Sequence, residues 1–327
     1  MQSLLRAGAA LGFVIYVALL PTLVLRPTLG LRLLWFLFIP LAPMFLLAAP
    51  NAWVSICPIS TVQTLARRFG WNGGKRLSPD TSRTLQRVGW ILMFVGIPSR
   101  HLIFNSSGPA VLAVAAPLTV LAFAVGVAFY SLSGWSMGAC PIRPVEVLYG
   151  QLALDKNRPE KCTTCTGCVG QCIRLRPEDG GQELARERLT SVLTYGFPGV
   201  VAAYFLLDLL HICNTEHAFF GTVAAVRTPV AVQAVTVYGV MALGFLVSFV
   251  VLRGIERLGV SQRNVIKTAA VSAYAFYYLG VVPEIGEAWS LGAAFEWIMV
   301  SVPFVVLAIV LFNSLPVSSQ RLRQAEL

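Results

Sequence analysis

The chain has 327 residues and a formal net charge of +10, yet only 12% of its residues are charged and 56% are apolar. A soluble domain carries roughly 25% charged residues, so this composition excludes a soluble globular protein and predicts a membrane protein. Basic loops that lie on anionic headgroups account for the positive charge, so we expect contact with membrane lipid and no nucleic-acid binding.

Long, nearly charge-free stretches recur along the chain, and each can cross a hydrocarbon core of ~30 Å with ~20 residues. They predict an all-α polytopic membrane protein with about eight transmembrane helices, at residues 7–25, 31–50, 87–104, 109–132, 191–212, 229–252, 267–283 and 294–313. No small-residue cleavage pattern follows the first stretch before Arg26, so we predict a retained helix rather than a signal peptide.

The basic residues fall mainly on one side of this predicted bundle. With eight spans both termini share one face, and the other face keeps only four of the 25 Lys and Arg residues: Arg26, Arg32, Arg100 and Arg227. Because cytoplasmic loops are enriched in Lys and Arg, the basic face is assigned to the cytoplasm. We therefore predict a multi-pass protein of the inner membrane of a bacterium, with both termini and the loop 133–190 in the cytoplasm.

A short motif occurs twice, each time after a pair of predicted spans. CPISTVQTL begins at Cys57, and CPIRPVEVL begins 83 residues later at Cys140. Apolar residues follow both motifs at the spacing of an amphipathic helix and at the same offset: Val62, Leu65, Ala66 and Phe69, then Val145, Leu148, Tyr149 and Leu152. We interpret residues 1–82 and 83–190 as two repeats of one unit, followed by four C-terminal spans in residues 191–327. The alternative is that CPI recurs by chance in an apolar chain.

The loop after the second motif contains KCTTCTGCVGQC. Its cysteines have the C-x2-C-x2-C-x3-C spacing of bacterial ferredoxins: Cys162, Cys165, Cys168 and Cys172. Four soft sulfur ligands in so short a segment favour an iron–sulfur cluster, and cytoplasmic thiols stay reduced and available to metal. Zinc is the alternative, but zinc sites usually pair two C-x2-C elements across a longer spacer or include histidine. We predict a [4Fe–4S] cluster in a small cytoplasmic ferredoxin-like loop.

The spacing leaves the fourth ligand of this cluster open. In two-cluster ferredoxins the last cysteine of each run binds the other cluster, whereas this chain has a single run. Cys172 is the fourth ligand if the loop closes on itself, and Cys140 or Cys57 is the alternative. A second, incompletely ligated cluster on Cys57, Cys140 and Cys172 is a further alternative, and both Cys-Pro cysteines could instead be small buried residues.

Polar residues also gather on the face opposite to the cluster loop. Asp208 and His211 are three residues apart on one helix, where the carboxylate could orient the imidazole, and His101 lies at a similar depth on another helix. Ionisable residues within membrane spans indicate function by default. The alternatives are a quinone site with His211 as proton acceptor, a haem b bound by His101 and His211, or interfacial side chains that face water. Glu284 and Glu287 are expected to be only solvated.

These motifs together resemble the NapH/NosR group of membrane iron–sulfur electron-transfer proteins. The resemblance covers about residues 1–175 and is carried by CPISTVQTL, CPIRPVEVL and KCTTCTGCVGQC. It implies an electron-transfer component, and in that family a quinol dehydrogenase subunit. The family usually has C-x3-C-P elements and two ferredoxin runs, whereas this chain has one run, and Trp53 and Ser136 occupy the earlier cysteine positions.

The sequence thus predicts a membrane-anchored carrier that passes electrons between a quinone pool or membrane partner and a redox partner protein. The alternative is an iron–sulfur redox sensor, or an assembly or regulatory factor for a redox enzyme. No Rossmann glycine fingerprint occurs, so direct use of NAD or FAD is not expected. A quinone site on the outer face would lie about a membrane thickness, ~30 Å, from the cluster and would need an intermediate carrier.

Overall fold

The computed structural model describes residues 2–49, 52–53, 56–71, 73, 75, 78–129, 134–150, 152–153, 188–210 and 229–314. These residues are almost entirely helical and contain no β-strand, only an isolated bridge between Lys75 and Phe129. The prediction of an all-α protein is therefore confirmed for the described part of the chain. The predicted ferredoxin-like loop lies outside it.

The described helices follow the order of the three predicted segments, residues 1–82, 83–190 and 191–327, and the interpretation of the first two as repeats stays a prediction. The first repeat contains α1 (Gln2–Leu25), α2 (Pro27–Ala48) and the short α3 (Pro58–Arg68). The second contains α4 (Pro79–Ser99), α5 (Gly108–Ala128) and the short α6 (Arg143–Gly150). The C-terminal part contains α7 (Arg188–Leu209), α8 (Val230–Arg257), α9 (Gln262–Ala288) and α10 (Ala293–Ser314). Turns of π-helix occur within α2 at Leu34–Phe38, directly after α4 at Arg100–Phe104, and before α6 at Trp135–Ala139.

Several of these helices have the length and apolarity of membrane spans. Six segments meet both criteria among the described residues: Ala7–Leu25, Pro27–Ala48, Gly108–Ala128, Leu189–Leu209, Val230–Arg257 and Gln262–Ala288. The prediction of a multi-pass membrane protein is consistent with them. The two other predicted spans, 87–104 and 294–313, lie in helical segments as well, and the count of eight stays a prediction.

Local sequence signals account for several helix boundaries. Ser78 caps α4 by accepting a hydrogen bond from the backbone N–H of Thr81 at 3.1 Å, and Pro79 occupies the first helical position, where no N–H is needed. Ser107 caps α5 in the same way. Gly259 follows α8 with φ of 94°, a left-handed conformation that suits a glycine after a helix end.

The C-terminal helices form a bundle that positions the candidate site. Helix α7 packs against both α8 and α9, and α8 and α9 also touch each other. A Cβ atom added to Gly199 of α7 would lie 1.9 Å from the carbonyl oxygen of Gly244 on α8, so these two glycines let the backbones approach closely. This bundle also contacts the N-terminal helices. Helices α7 and α8 contact α4, and α9 contacts α2 and α6.

The two short helices pack one apolar side onto the spans. The predicted apolar positions Val62 and Ala66 of α3 and Leu148 and Tyr149 of α6 are buried, as is Leu152 just after α6. Phe69 differs, because it lies beyond the end of α3 and its side chain is 61% exposed. Amphipathic spacing therefore predicted the packed side of both helices and failed at the end of the first.

Candidate functional sites

One candidate site is a cluster of buried polar side chains where α4, α7 and α9 end near each other. Arg100 and His101 lie in the π-helical turn after α4, Asp208 lies at the end of α7, and Glu284 lies near the end of α9. The sequence predicted His101 at the depth of His211, and the structure places His101 in direct contact with Asp208. The nearest atoms of the two side chains, Nδ1 and Oδ1, are 3.2 Å apart.

The two ring nitrogens of His101 face different polar groups. Its Nε2 is 3.2 Å from the carbonyl oxygen of Tyr204, which can only accept, so Nε2 carries a hydrogen. Nδ1 then faces an oxygen of Asp208 at 3.2 Å, a contact that is attractive when either group carries a proton. The ring also lies on that of Tyr204, with 4.0 Å between centroids.

Arg100 contacts the other polar residues of this buried site. Its Nε donates to Oδ1 of Asn105 at 2.8 Å, and its guanidinium lies over the rings of Trp35 and Tyr204 at 4.6 and 5.0 Å. A terminal nitrogen is 3.8 Å from a carboxylate oxygen of Glu284. The Glu284 side chain is only 14% exposed, so the expectation that it is merely solvated was wrong. No local pattern marks Glu284 as buried, and it is the tertiary structure that places it beside Arg100.

A cavity of about 950 Å³ lies between α7, α8 and α9 and reaches this cluster. Its walls are mostly apolar, and its carboxyl groups, from Asp208, Glu284 and Glu287, gather near the ends of α7 and α9. The lining continues along α9 to Ser272, a distance of about 18 Å from Glu284 at 1.5 Å per residue. The arrangement suits an elongated apolar molecule with a polar head group at the acidic end.

The structure tests the other predicted ligands only in part. Cys162, Cys165, Cys168, Cys172 and His211 lie outside the described residues. Within the described ranges, no three His, Cys, Asp or Glu side chains are placed to hold a metal ion. Both ring nitrogens of His101 already have polar partners, so bonding of this ring to haem iron would require one of those contacts to break.

Cys57 and Cys140 occupy equivalent positions at the starts of α3 and α6. Each thiol accepts backbone N–H groups from the second and third residues after it, as an N-cap does. Burial raises the pKa of Cys57 to about 11 and also raises the pKa of Cys140, and in both cases the nearby Glu146 carboxyl group adds to the shift. Both thiols are therefore protonated near neutral pH, and neither is excluded or favoured as the fourth cluster ligand.

Two hydrogen bonds cross between the repeats at equivalent positions. Trp53 donates from Nε1 to the carboxyl group of Glu146 at 2.8 Å, and the Ser136 hydroxyl donates to the amide oxygen of Gln63 at 2.7 Å. Trp53 and Ser136 are 83 residues apart, as are Gln63 and Glu146. Each repeat thus gives a donor and an acceptor to the other, a reciprocity that the spacing of the motifs alone did not reveal.

Comparison with known proteins adds no family to these observations. No family model, curated protein or solved structure matches the chain. The resemblance to the NapH/NosR group therefore rests on the motifs alone.

Proposed function

We propose that this chain is an eight-span membrane protein that relays electrons through one cytoplasmic [4Fe–4S] cluster. The observation that carries the proposal is the spacing of Cys162, Cys165, Cys168 and Cys172 in the sequence. The first three cysteines bind the cluster, and the fourth ligand is Cys172, with Cys140 and Cys57 as the alternatives. Its partners are a quinone pool or membrane protein on one side and a redox protein on the other.

The helical state of the two remaining predicted spans supports the count of eight. Arg100 is the charged residue that makes the segment 87–104 costly to place in hydrocarbon, and its guanidinium is shielded by aromatic rings and by the carboxyl group of Glu284. An ionisable side chain in a span is expected to be paired inside the bundle in this manner. With eight spans, the basic loops and the cluster loop share the cytoplasmic face.

The cavity between α7, α8 and α9 supports a quinone as the membrane-side reactant. A hydroquinone head has two O–H donors, and carboxylate oxygens at the acidic end of the cavity are acceptors for such donors. An isoprenoid tail would lie along the apolar walls, and the contact between His101 and Asp208 places two groups that can carry a proton at the acidic end. In the proposed orientation this end faces outward, while the lining residue Leu252 is about 8 Å from the cytoplasmic end of α8. The cavity therefore covers much of the distance between the two faces.

The test of the cluster is anaerobic purification followed by iron and acid-labile sulfide assays and by EPR spectra before and after reduction. We expect about four iron and four sulfide per chain. Cys165→Ser should abolish the signal, because a secure ligand is lost. The seventh cysteine of the chain, Cys213, is outside every motif, and Cys213→Ser is the matched control that should retain the signal. Purified chain without acid-labile sulfide would refute the proposal.

Single replacements of Cys172, Cys140 and Cys57 with serine then identify the fourth ligand. Serine is a good N-cap residue, so at positions 57 and 140 it should keep the helix starts and change the cluster only if the sulfur binds iron. A haem stain and quinone titration of the reduced cluster complete the set. If the cluster is present but is not oxidised by a quinone analogue, the membrane-side partner is a protein.

A further inference from the structure

The polar side chains that line the cavity between α7, α8 and α9 differ in what they can donate or accept at its two ends. Five occur among the described lining residues: Asp208, Ser248, Ser272, Glu284 and Glu287. Ser272 lies about 18 Å from Glu284 along α9, away from the acidic end. The Ser248 hydroxyl already donates to the carbonyl oxygen of Tyr195 at 2.7 Å. In the described lining, the polar side chains of the acidic end are therefore carboxyl groups.

Two basic side chains contact these carboxyl groups without lining the cavity. Arg100 and His101 are 7% and 0% exposed, and neither is among the described lining residues. Arg100 forms an ion pair with Glu284, and His101 faces Oδ1 of Asp208 through Nδ1. The nitrogen donors are thus engaged with the carboxyl groups, and it is the carboxyl groups that belong to the cavity wall.

The acidic end presents hydrogen-bond acceptors in each protonation state that its contacts allow. Glu284 pairs with Arg100 as a carboxylate, which can only accept. Whether a proton lies on Oδ1 of Asp208 or on Nδ1 of His101, the second carboxyl oxygen of Asp208 carries no hydrogen and can only accept. Pro283 has no N–H for the carbonyl oxygen of Leu279, four residues earlier, and both residues line the cavity. The backbone therefore adds a further acceptor beside Glu284.

We propose that the acidic end binds the hydroquinone form of its ligand in preference to the quinone form, an inference that rests on the quinone function proposed above. The two O–H groups of a hydroquinone can donate to carboxyl oxygens, whereas the two carbonyl oxygens of a quinone would face oxygen lone pairs. A site built to hydrogen-bond a donor binds the analogue without that donor weakly, because its buried acceptors stay unpaired. Asp208 and Glu284 are the residues that determine this specificity.

Equilibrium binding to the full chain in lipid nanodiscs, without oxygen, tests the preference. The probes are a decyl hydroquinone, its quinone and its dimethyl ether, which cannot react. The hydroquinone is measured with the cluster reduced and the quinone with the cluster oxidised, so that neither probe exchanges electrons. The ether is measured in both states, which shows any effect of the cluster itself. We expect the Kd of the hydroquinone to be about tenfold lower than that of the quinone, or lower still.

Amide substitutions test the residues that determine the preference. Glu284→Gln and Asp208→Asn each supply N–H donors that a quinone carbonyl can accept, so each should reduce the preference by about tenfold. Asp80→Asn, at a side chain that is 88% exposed on α4, is the matched control and should keep the wild-type ratio. The ratio of two affinities is measured on chain that is folded and binds ligand, so a loss of stability alone does not change it.

The outcomes separate this inference from the function on which it rests. Wild-type chain that binds both forms equally, or the quinone more tightly, would overturn the preference and leave a quinone site in place. An unchanged ratio in both amide variants would overturn the assignment to Asp208 and Glu284. If neither form binds, the cavity is not a quinone site, and that part of the proposed function fails together with the inference.

Discussion

Replacing Glu146 with glutamine should make the free energy of unfolding depend less on pH. The wild-type protein loses stability when Glu146 ionises as the pH rises. Burial raises the pKa of Glu146, more than the charge of Arg143 and the hydrogen bond from Trp53 lower it. The folded protein therefore keeps a proton that the unfolded chain has released. The contribution of Glu146 to stability is therefore fully present below pH 4.5, the ordinary pKa of this side chain. It is lost as the pH rises from there through the raised pKa of the folded protein.

The size of this effect follows from the shift, at about 1.4 kcal/mol for each unit. In the wild type the Trp53 indole nitrogen donates to the Glu146 carboxyl group at 2.8 Å. Glutamine cannot ionise, but its amide oxygen can accept the same hydrogen bond. At low pH the two proteins should therefore unfold at similar temperatures. Toward about pH 8 only the wild type should lose stability from this group.

Thermal unfolding of the purified chain in one detergent, at several pH values between about 5 and 8, measures the difference. Asp80→Asn is the control, because the Asp80 side chain is 88% exposed and pairs only with Arg83 at 2.8 Å among the ion pairs of the described residues. It should leave the pH dependence of the wild type unchanged. If Glu146→Gln retains the full wild-type dependence, then the buried position of this carboxyl group between the repeats is wrong.

Two further substitutions test the helix bundle and the polar cluster. Gly199→Ala should lower the free energy of unfolding by about 1–3 kcal/mol, and with it the unfolding midpoint, because the added methyl group forces α7 and α8 apart. Gly239→Ala, where no atom lies within 4 Å of the added Cβ, should not lower it, and equal losses would contradict the close approach. Asp208→Asn should cost less than Asp208→Ala, since an amide N–H can still donate to Nδ1 of His101, whereas alanine leaves that buried nitrogen without this partner at about 1–3 kcal/mol. The same unfolding assay compares them, and equal costs would argue against the contact between the two side chains.

The helices could be predicted in position because a membrane span depends on a local property. Stretches such as 7–25 and 267–283 have to be apolar over their whole length, and the structure has helices there. Their ends were less accurate. Helix α9 begins at Gln262, before the predicted start at 267, because the polar first turn belongs to the helix although it does not belong to the apolar stretch.

The partners within the polar cluster could not be predicted in the same way. The sequence suggested His211 as the partner of Asp208, because the two are one helical turn apart. In the described residues the contact is with His101, which is 107 positions away along the chain. Nothing in the local spacing of either residue favours the other. The packing of α7 beside the end of α4 brings them together.

The sequence by itself determined what each segment is. Apolar length identifies helices that must satisfy their backbone groups internally in lipid, and the spacing of Cys162 to Cys172 predicts a ligand set for one cluster, because both are properties of consecutive residues. The tertiary structure decided which segments meet. It paired Asp208 with His101, buried Glu284 against Arg100, and crossed the hydrogen bonds of the two repeats. Such contacts join side chains far apart in the chain, and only the way the helices pack against one another selects them.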